Sequence, residues 1–202
     1  MMVKVCGMTL PEQLHQADQL QVDYLGLIFH RASPRYAGGL RLNSVKLKAK
    51  LTGVFVDSPA DEILSIAGKF GLSAVQLHGG QDIETCLRLK QNKLEVIRVF
   101  HPLDEGFGIT ADFAHCSDYF LFDSGKRGSG GSGAKFDWQM LSGYQGKTPF
   151  FLSGGIGPED AESILQIRHP AFAGIDLNSR FELSPGIKNM DIIKTFLKQL
   201  RS

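Results

Sequence analysis

The sequence predicts a (β/α)8 TIM barrel, α/β in class, forming a single domain over residues 1–202. Three observations carry that expectation. Eight short apolar runs recur along the chain, amphipathic stretches lie between them, and an ionisable residue or a glycine turn follows nearly every run. Runs rich in Val, Ile and Phe without polar alternation are those of parallel strands buried on both faces. Strand–helix alternation builds right-handed βαβ units, and eight of them close a barrel at the compact end of its size range. A doubly wound open sheet would show fewer strands and a nucleotide-binding glycine loop after the first; none follows it here.

The first run, VKV at 3–5, ends at Cys6 and a glycine turn. PEQLHQADQL (11–20) begins with proline where a helix tolerates it first. YLGLIF (24–29) and LTGVFV (51–56) are the second and third runs, and RLNSVKLKAK (41–50) between them is a poor helix by pattern. SPADEILSIAGKF (58–70) offers Ser58 as a cap, acids in the first turn, and Ile63, Ile66, Ala67 and Phe70 on one face. AVQL (74–77) and LEVIRVF (94–100) follow, with Cys86 read as inert core in the helix between them; 101–117 has no clear pattern. YFLF (119–122), PFFL (149–152) and FAGID (172–176) complete the eight. GPEDAESILQI (157–167) repeats the proline-and-acid opening. MDIIKTFLKQL (190–200) closes the chain with Ile192, Ile193, Phe196, Leu197 and Leu200 on its apolar face.

Composition narrows the class of function. With 43% hydrophobic and 21% charged residues the chain has an ordinary folding composition, not a disordered one. A formal net charge of +1 with scattered Lys and Arg offers no basic face for a phosphate backbone, so no nucleic-acid partner is expected. Three cysteines, Cys6, Cys86 and Cys116, show no metal-site spacing and leave one over if two pair, the usage of a reducing compartment. No apolar run approaches membrane length and the start lacks a signal-peptide core. A cytoplasmic protein without a membrane partner is expected, a monomer rather than a homodimer.

On this fold the chemistry sits at the C-terminal ends of the strands. Reading the residues after each run gives Cys6, His30-Arg31 leading to Arg35, Asp57, His78, His101, Asp123, Ser153-Gly154-Gly155 and Asp176. Two glycine-rich pieces stand out. SGKRGSGGSGAKFDW (124–138) has a linker's composition, but it joins a strand to a helix start in mid-barrel and reads as an active-site loop around Gly130, Gly131, Ser132 and Gly133. LSGGIGPEDAESI (152–164) places a glycine turn before a helix, an anion nest at Gly154 and Gly155. DLNSRFELSPGIK (176–188) is long enough for an extra turn after the eighth run, at Asn178 and Ser179, and loops seven and eight together are where this fold holds phosphate.

KVCGMT, DYLGLIFHRASPRY, GVFVD, VQLHG, FLFDS, GGSGAKFDW, FLSGGIGPED and GIDLNSRFE…PGIK, in that order over residues 3–188, resemble phosphoribosylanthranilate isomerases of tryptophan biosynthesis. The resemblance implies a cofactor-free conversion of N-(5-phospho-β-D-ribosyl)anthranilate to 1-(2-carboxyphenylamino)-1-deoxy-D-ribulose 5-phosphate. It makes Cys6 the general base and Asp123 the general acid, and it associates Arg35 with the anthranilate carboxylate. The chemistry agrees. An Amadori rearrangement needs an acid to open the furanose at its ring oxygen and a base to take the proton from C2, one group on each side of the sugar. A thiol with a pKa of about 8.5 is a few per cent thiolate at pH 7, so Cys6 would gain from a lowered pKa. Lys4 is expected on the opposite side of the strand and is not assigned that part.

Gln76 and His78 alternate on the fourth strand and read either as pocket residues or as barrel filling. Asp176 is expected to hold the Asn178-Ser179 turn or to orient the acid. His15, His115 and His169 are expected in solvent. His30, His78 and His101 lack a carboxylate that would complete a metal set, so neither a metal nor a cofactor is expected. Two departures from the family pattern, Arg180 where glycine is usual and the order GAK at 133–135, touch the phosphate side. The alternatives are another phosphosugar isomerase or epimerase, expected to carry aspartate where Cys6 stands, and a catalytically inactive binding barrel, expected to lack Cys6 or Asp123.

Overall fold

Eight parallel strands close on themselves in chain order in the computed structural model, which describes residues 1–42, 46–124 and 137–202. They are β1 (Met2–Val5), β2 (Tyr24–Ile28), β3 (Lys50–Phe55), β4 (Ala74–Leu77), β5 (Glu95–Phe100), β6 (Tyr119–Phe122), β7 (Phe150–Leu152) and β8 (Phe172–Leu177). β8 pairs back onto β1, with Lys4 opposite Asp176 and Val5 opposite Leu177, and this closes the ring. The eight expected runs are the eight barrel strands.

Among the described residues seven α-helices wrap the barrel: α1 (Pro11–Gln19), α2 (Ala60–Phe70), α3 (Ile83–Gln91), α4 (Pro102–Glu105), α5 (Thr110–Phe113), α6 (Ala161–Leu165) and α7 (Met190–Arg201). Pro11 opens α1 as expected. Ser58 does not cap α2: Pro59 keeps an extended ψ of 156° and occupies the cap position itself, leaving Asp61 and Glu62 to complement the helix N-terminus. Asp82 caps α3 by accepting the Thr85 N–H at 2.8 Å, and Asn189 caps α7 through the Ile192 N–H at 3.1 Å. The weakly patterned stretch before β3 holds no helix among the described residues, and 101–117 carries only the one-turn helices α4 and α5. No described helix is long and apolar enough to cross a membrane.

The two faces of the strands make two cores. Outward side chains such as Val5, Leu27, Phe55, Phe120 and Ile175 pack under the helices in one large cluster. Inward side chains near the strand starts form a smaller plug of Tyr24, Ala74, Ile97, Val99, Leu121 and Phe151. Beyond β8 the chain makes a 3-10 turn (Ser179–Phe181) and an antiparallel pair, β9 (Glu182–Ser184) and β10 (Ile187–Lys188). Phe181 anchors this addition by packing its ring 4.9 Å from that of Phe196 on α7. His169, expected in solvent, is half-buried instead: it bonds the Tyr144 carbonyl at 2.9 Å and accepts the Ala171 N–H at 3.1 Å.

Candidate active site

A cavity of about 340 Å³ opens at the C-terminal ends of the strands. Its walls include Cys6 from β1, Arg35 from the loop after β2, Gln76 and His78 from β4, Asp123 from β6, Gly154 and Gly155 after β7, and Asp176, Asn178 and Ser179 at β8. The structure therefore brings Cys6, Asp123 and all eight expected substrate-binding residues to one mouth. Gly130, Gly131, Ser132 and Gly133 lie outside the described residues. His30 also lines the cavity, whereas His101 is buried beside His78, their rings 5.3 Å apart.

Cys6 faces into the barrel because β1 alternates, and β2 leaves room for it. A Cβ on Gly26 would lie 2.7 Å from the Cys6 sulfur, so only glycine allows the approach. The expectation that Lys4 faces away is wrong. Lys4 and Cys6 are two residues apart, and a period of two sends both to the same face. Lys4 is wholly buried and its Nζ lies 2.8 Å from Asp176 Oδ1. Burial alone would pull the Lys4 amine down, but Asp176 and then Cys6 outweigh it and hold the amine above the ordinary lysine value. Burial pushes the Cys6 thiol up; Lys4 and Lys188 pull against it, and Asp176 adds to the rise.

Asp176 does not hold the Asn178-Ser179 turn. Its second oxygen accepts the Ser153 hydroxyl at 3.2 Å, so the carboxylate bridges β1 and the end of β7. Burial raises the Asp176 carboxyl, Lys4 opposes the rise and Asp123 adds to it. The buried ion pair thus has its cation toward the thiol and its anion toward the second carboxyl.

Gln76 Nε2 and His78 Nδ1 approach to 3.4 Å. His78 is pushed down to about 4, chiefly by burial, with Asp123 opposing and His101, Lys4 and Arg98 adding. It is a neutral imidazole at pH 7. Gln76 Oε1, His78 Nε2 and His101 Nδ1 are buried without a hydrogen bond, the condition of polar groups that wait for a ligand or water.

Arg35 is not free-standing. Glu182 on β9 grips its guanidinium with Nη2 to Oε2 at 2.7 Å, and Lys188 on β10 reaches Glu182 Oε1 at 2.7 Å. Burial favours protonated Glu182, but Arg35 and Lys188 hold it below the ordinary glutamate value. On the far wall Gly154 and Gly155 stand at φ of 85° and 68°, and a Cβ on Gly154 would collide with Ser124. Positive φ at both positions is open to glycine and lets the backbone turn sharply along the cavity wall. Arg180, the departure from the family pattern, pairs with Glu159 at 2.8 Å with both side chains about half exposed, and it is not among the cavity's lining residues.

Lys4, Glu182 and Lys188 stand inside the motifs KVCGMT and GIDLNSRFE…PGIK, yet the sequence reading gave none of them a part in the site. The alternation of β1 would have yielded Lys4. Glu182 and Lys188 lie on a hairpin whose contact with Arg35 spans 147 residues, and no local pattern encodes it.

Three comparisons bear on the site. The family model for N-(5'phosphoribosyl)anthranilate isomerase matches residues 3–199. An N-(5'-phosphoribosyl)anthranilate isomerase of Parabacteroides distasonis is 42% identical over 99% of this chain and 93% of its own length. Among solved structures, a phosphoribosyl anthranilate isomerase of Thermotoga maritima superposes with a TM-score of 0.84 at 29% identity, covering 99% of this chain and 98% of that one. Another isomerase of this name, solved with reduced 1-(o-carboxyphenylamino)-1-deoxyribulose 5-phosphate, has a TM-score of 0.80 at 26% identity over 99% and 98% of the two chains.

Proposed function

The chain belongs to the N-(5'-phosphoribosyl)anthranilate isomerase family and is an isomerase of tryptophan biosynthesis, and from that premise we propose that Cys6 is its general base and Asp123 its general acid. The observation that carries the assignment is that the two groups directly follow β1 and β6 and line one cavity at the barrel mouth. A phosphosugar lying between them meets an acid on one side and a base on the other.

Asp123 protonates the ring oxygen and the furanose opens to a Schiff base. Cys6 thiolate takes the proton from C2, and the resulting enolamine tautomerises to the ketone. Lys4 pulls the Cys6 thiol down, against burial and Asp176. The phosphate is assigned to the Gly154-Gly155 nest and the Asn178-Ser179 turn, the 2-carboxylate of the arylamine to Arg35, and the sugar hydroxyls to Gln76 and His78. That Cys6 and Asp123 are both present favours catalysis over an inactive barrel, and a thiol on β1 favours this rearrangement over that of the aspartate-bearing relatives.

The test uses two variants and a ring-opening measurement. Cys6→Ser should keep the fold and lose about 10²–10⁴-fold in kcat, the usual worth of a general base. Asp123→Asn should form the ring-opened Schiff base at a rate reduced by a similar factor. A Cys6→Ser enzyme retaining a tenth of the rate, or normal ring opening in Asp123→Asn, would overturn the respective assignment.

A further inference from the structure

Glu182 receives five hydrogen bonds in a site where its side chain is only 4% exposed. Arg35 Nε donates to Oε1 at 2.9 Å and to Oε2 at 3.1 Å, and Nη2 donates to Oε2 at 2.7 Å. Lys188 Nζ donates to Oε1 at 2.7 Å and the Gly186 N–H to the same oxygen at 3.1 Å. Lys188 is itself fixed. Its ammonium also donates to Asn178 Oδ1 at 2.9 Å, and the Gln13 side chain clamps its backbone N–H at 2.9 Å and its carbonyl at 2.7 Å.

A guanidinium can chelate a carboxylate along its Nε–Nη2 side or along its terminal Nη1–Nη2 edge. Glu182 takes the first. The terminal edge is the one left to a ligand, and Arg35 lines the cavity. With two cations around one anion the cluster keeps a net positive charge, so it attracts an anion rather than being self-neutralised. We propose that Glu182, braced by Lys188, is a positioning residue that fixes the plane of Arg35 and so sets the enzyme's selectivity for an arylamine carrying a carboxylate over the same amine without one. This rests on the assignment of Arg35 to the substrate carboxylate. The mechanism is preorganisation: an arginine held before binding loses less side-chain freedom on binding, and a fixed fork discriminates a planar partner by direction as well as charge.

The experiment measures the dissociation constants of two stable ligands, 1-(2-carboxyphenylamino)-1-deoxyribitol 5-phosphate and its decarboxylated phenylamino counterpart, on wild type and variants. Glu182→Gln should weaken the carboxylated ligand by about tenfold or more and leave the other within about threefold. Glu182→Asp, which keeps the charge but falls short of both cations, should lie between. Equal loss for both ligands, or no loss for either, in whichever variant folds would overturn the proposal. Arg35→Ala separates this from the underlying assignment. If it leaves the preference for the carboxylated ligand intact, the Arg35 assignment is wrong; if it abolishes the preference while the Glu182 variants retain it, only the positioning role is wrong.

Discussion

Along β1 the inward positions are Met2, Lys4 and Cys6; along β4 they are Ala74, Gln76 and His78; along β6, Tyr119, Leu121 and Asp123. Every one of these strands passes from apolar to polar or ionisable within one step of two residues, a rise of about 7 Å. The lower half of the barrel interior is filled by Tyr24, Ile97, Leu121 and Phe151, with the Phe151 ring 5.4 Å from Tyr24 and 5.2 Å from Tyr119 in edge-on or tilted contacts. The upper half holds a buried ion pair, two neighbouring imidazoles and three polar atoms without a hydrogen bond. One half satisfies the rules of a stable core and the other breaks them. The plug supplies the burial that lets the mouth keep desolvated charges, because each costs stability unless it is paired.

The sharpest way to break this comparison is to make the upper half resemble the lower. Lys4→Met alone leaves Asp176 buried and unpaired and should cost about 3–5 kcal/mol of stability. Lys4→Met/Asp176→Leu should recover most of that loss, since well-packed apolar pairs often equal buried ion pairs. Activity should not return with it: without Lys4 the thiolate fraction falls about tenfold for each unit that the Cys6 pKa climbs. Urea unfolding beside kcat/KM reads both, and a double variant with wild-type turnover would make the ion pair merely structural.

The converse cut goes through the plug. Phe151→Ala should lower stability by about 3–5 kcal/mol, as large-to-small changes in a tight core do, while kcat of the folded fraction changes less than about threefold. A large loss of kcat at full folding would show that the two halves are not separable.

The smallest expected effect is a pH dependence confined to the mouth. His78 sits at about 4 in the folded chain against an ordinary histidine value of about 6.5. Between these values the unfolded chain binds the extra proton, so stability is lost as pH falls from about 6.5 toward 4, by about 1–3 kcal/mol in total. His78→Asn should remove that slope while leaving the neighbouring side chains, Asp123, His101, Lys4 and Arg98, in place. An unchanged slope in urea titrations from pH 7 to 4 would assign the proton elsewhere.

Eight strands, their order and the face on which the polar strand ends gather around a cavity were legible in the residues, because periodicity and strand-end composition are local. So were Cys6, Asp123 and the Gly154-Gly155 turn, each set by its place at the end of a run. Even Lys4 was within reach of a simple count along β1. What only the tertiary structure decided is which charges meet. Asp176 finds Lys4 because closing the ring brings β8 beside β1, 172 residues apart in the chain. Glu182 finds Arg35 because a hairpin after the last strand folds back over the loop after the second. Electrostatic partnership depends on distance through space and on burial, and one-dimensional spacing records neither.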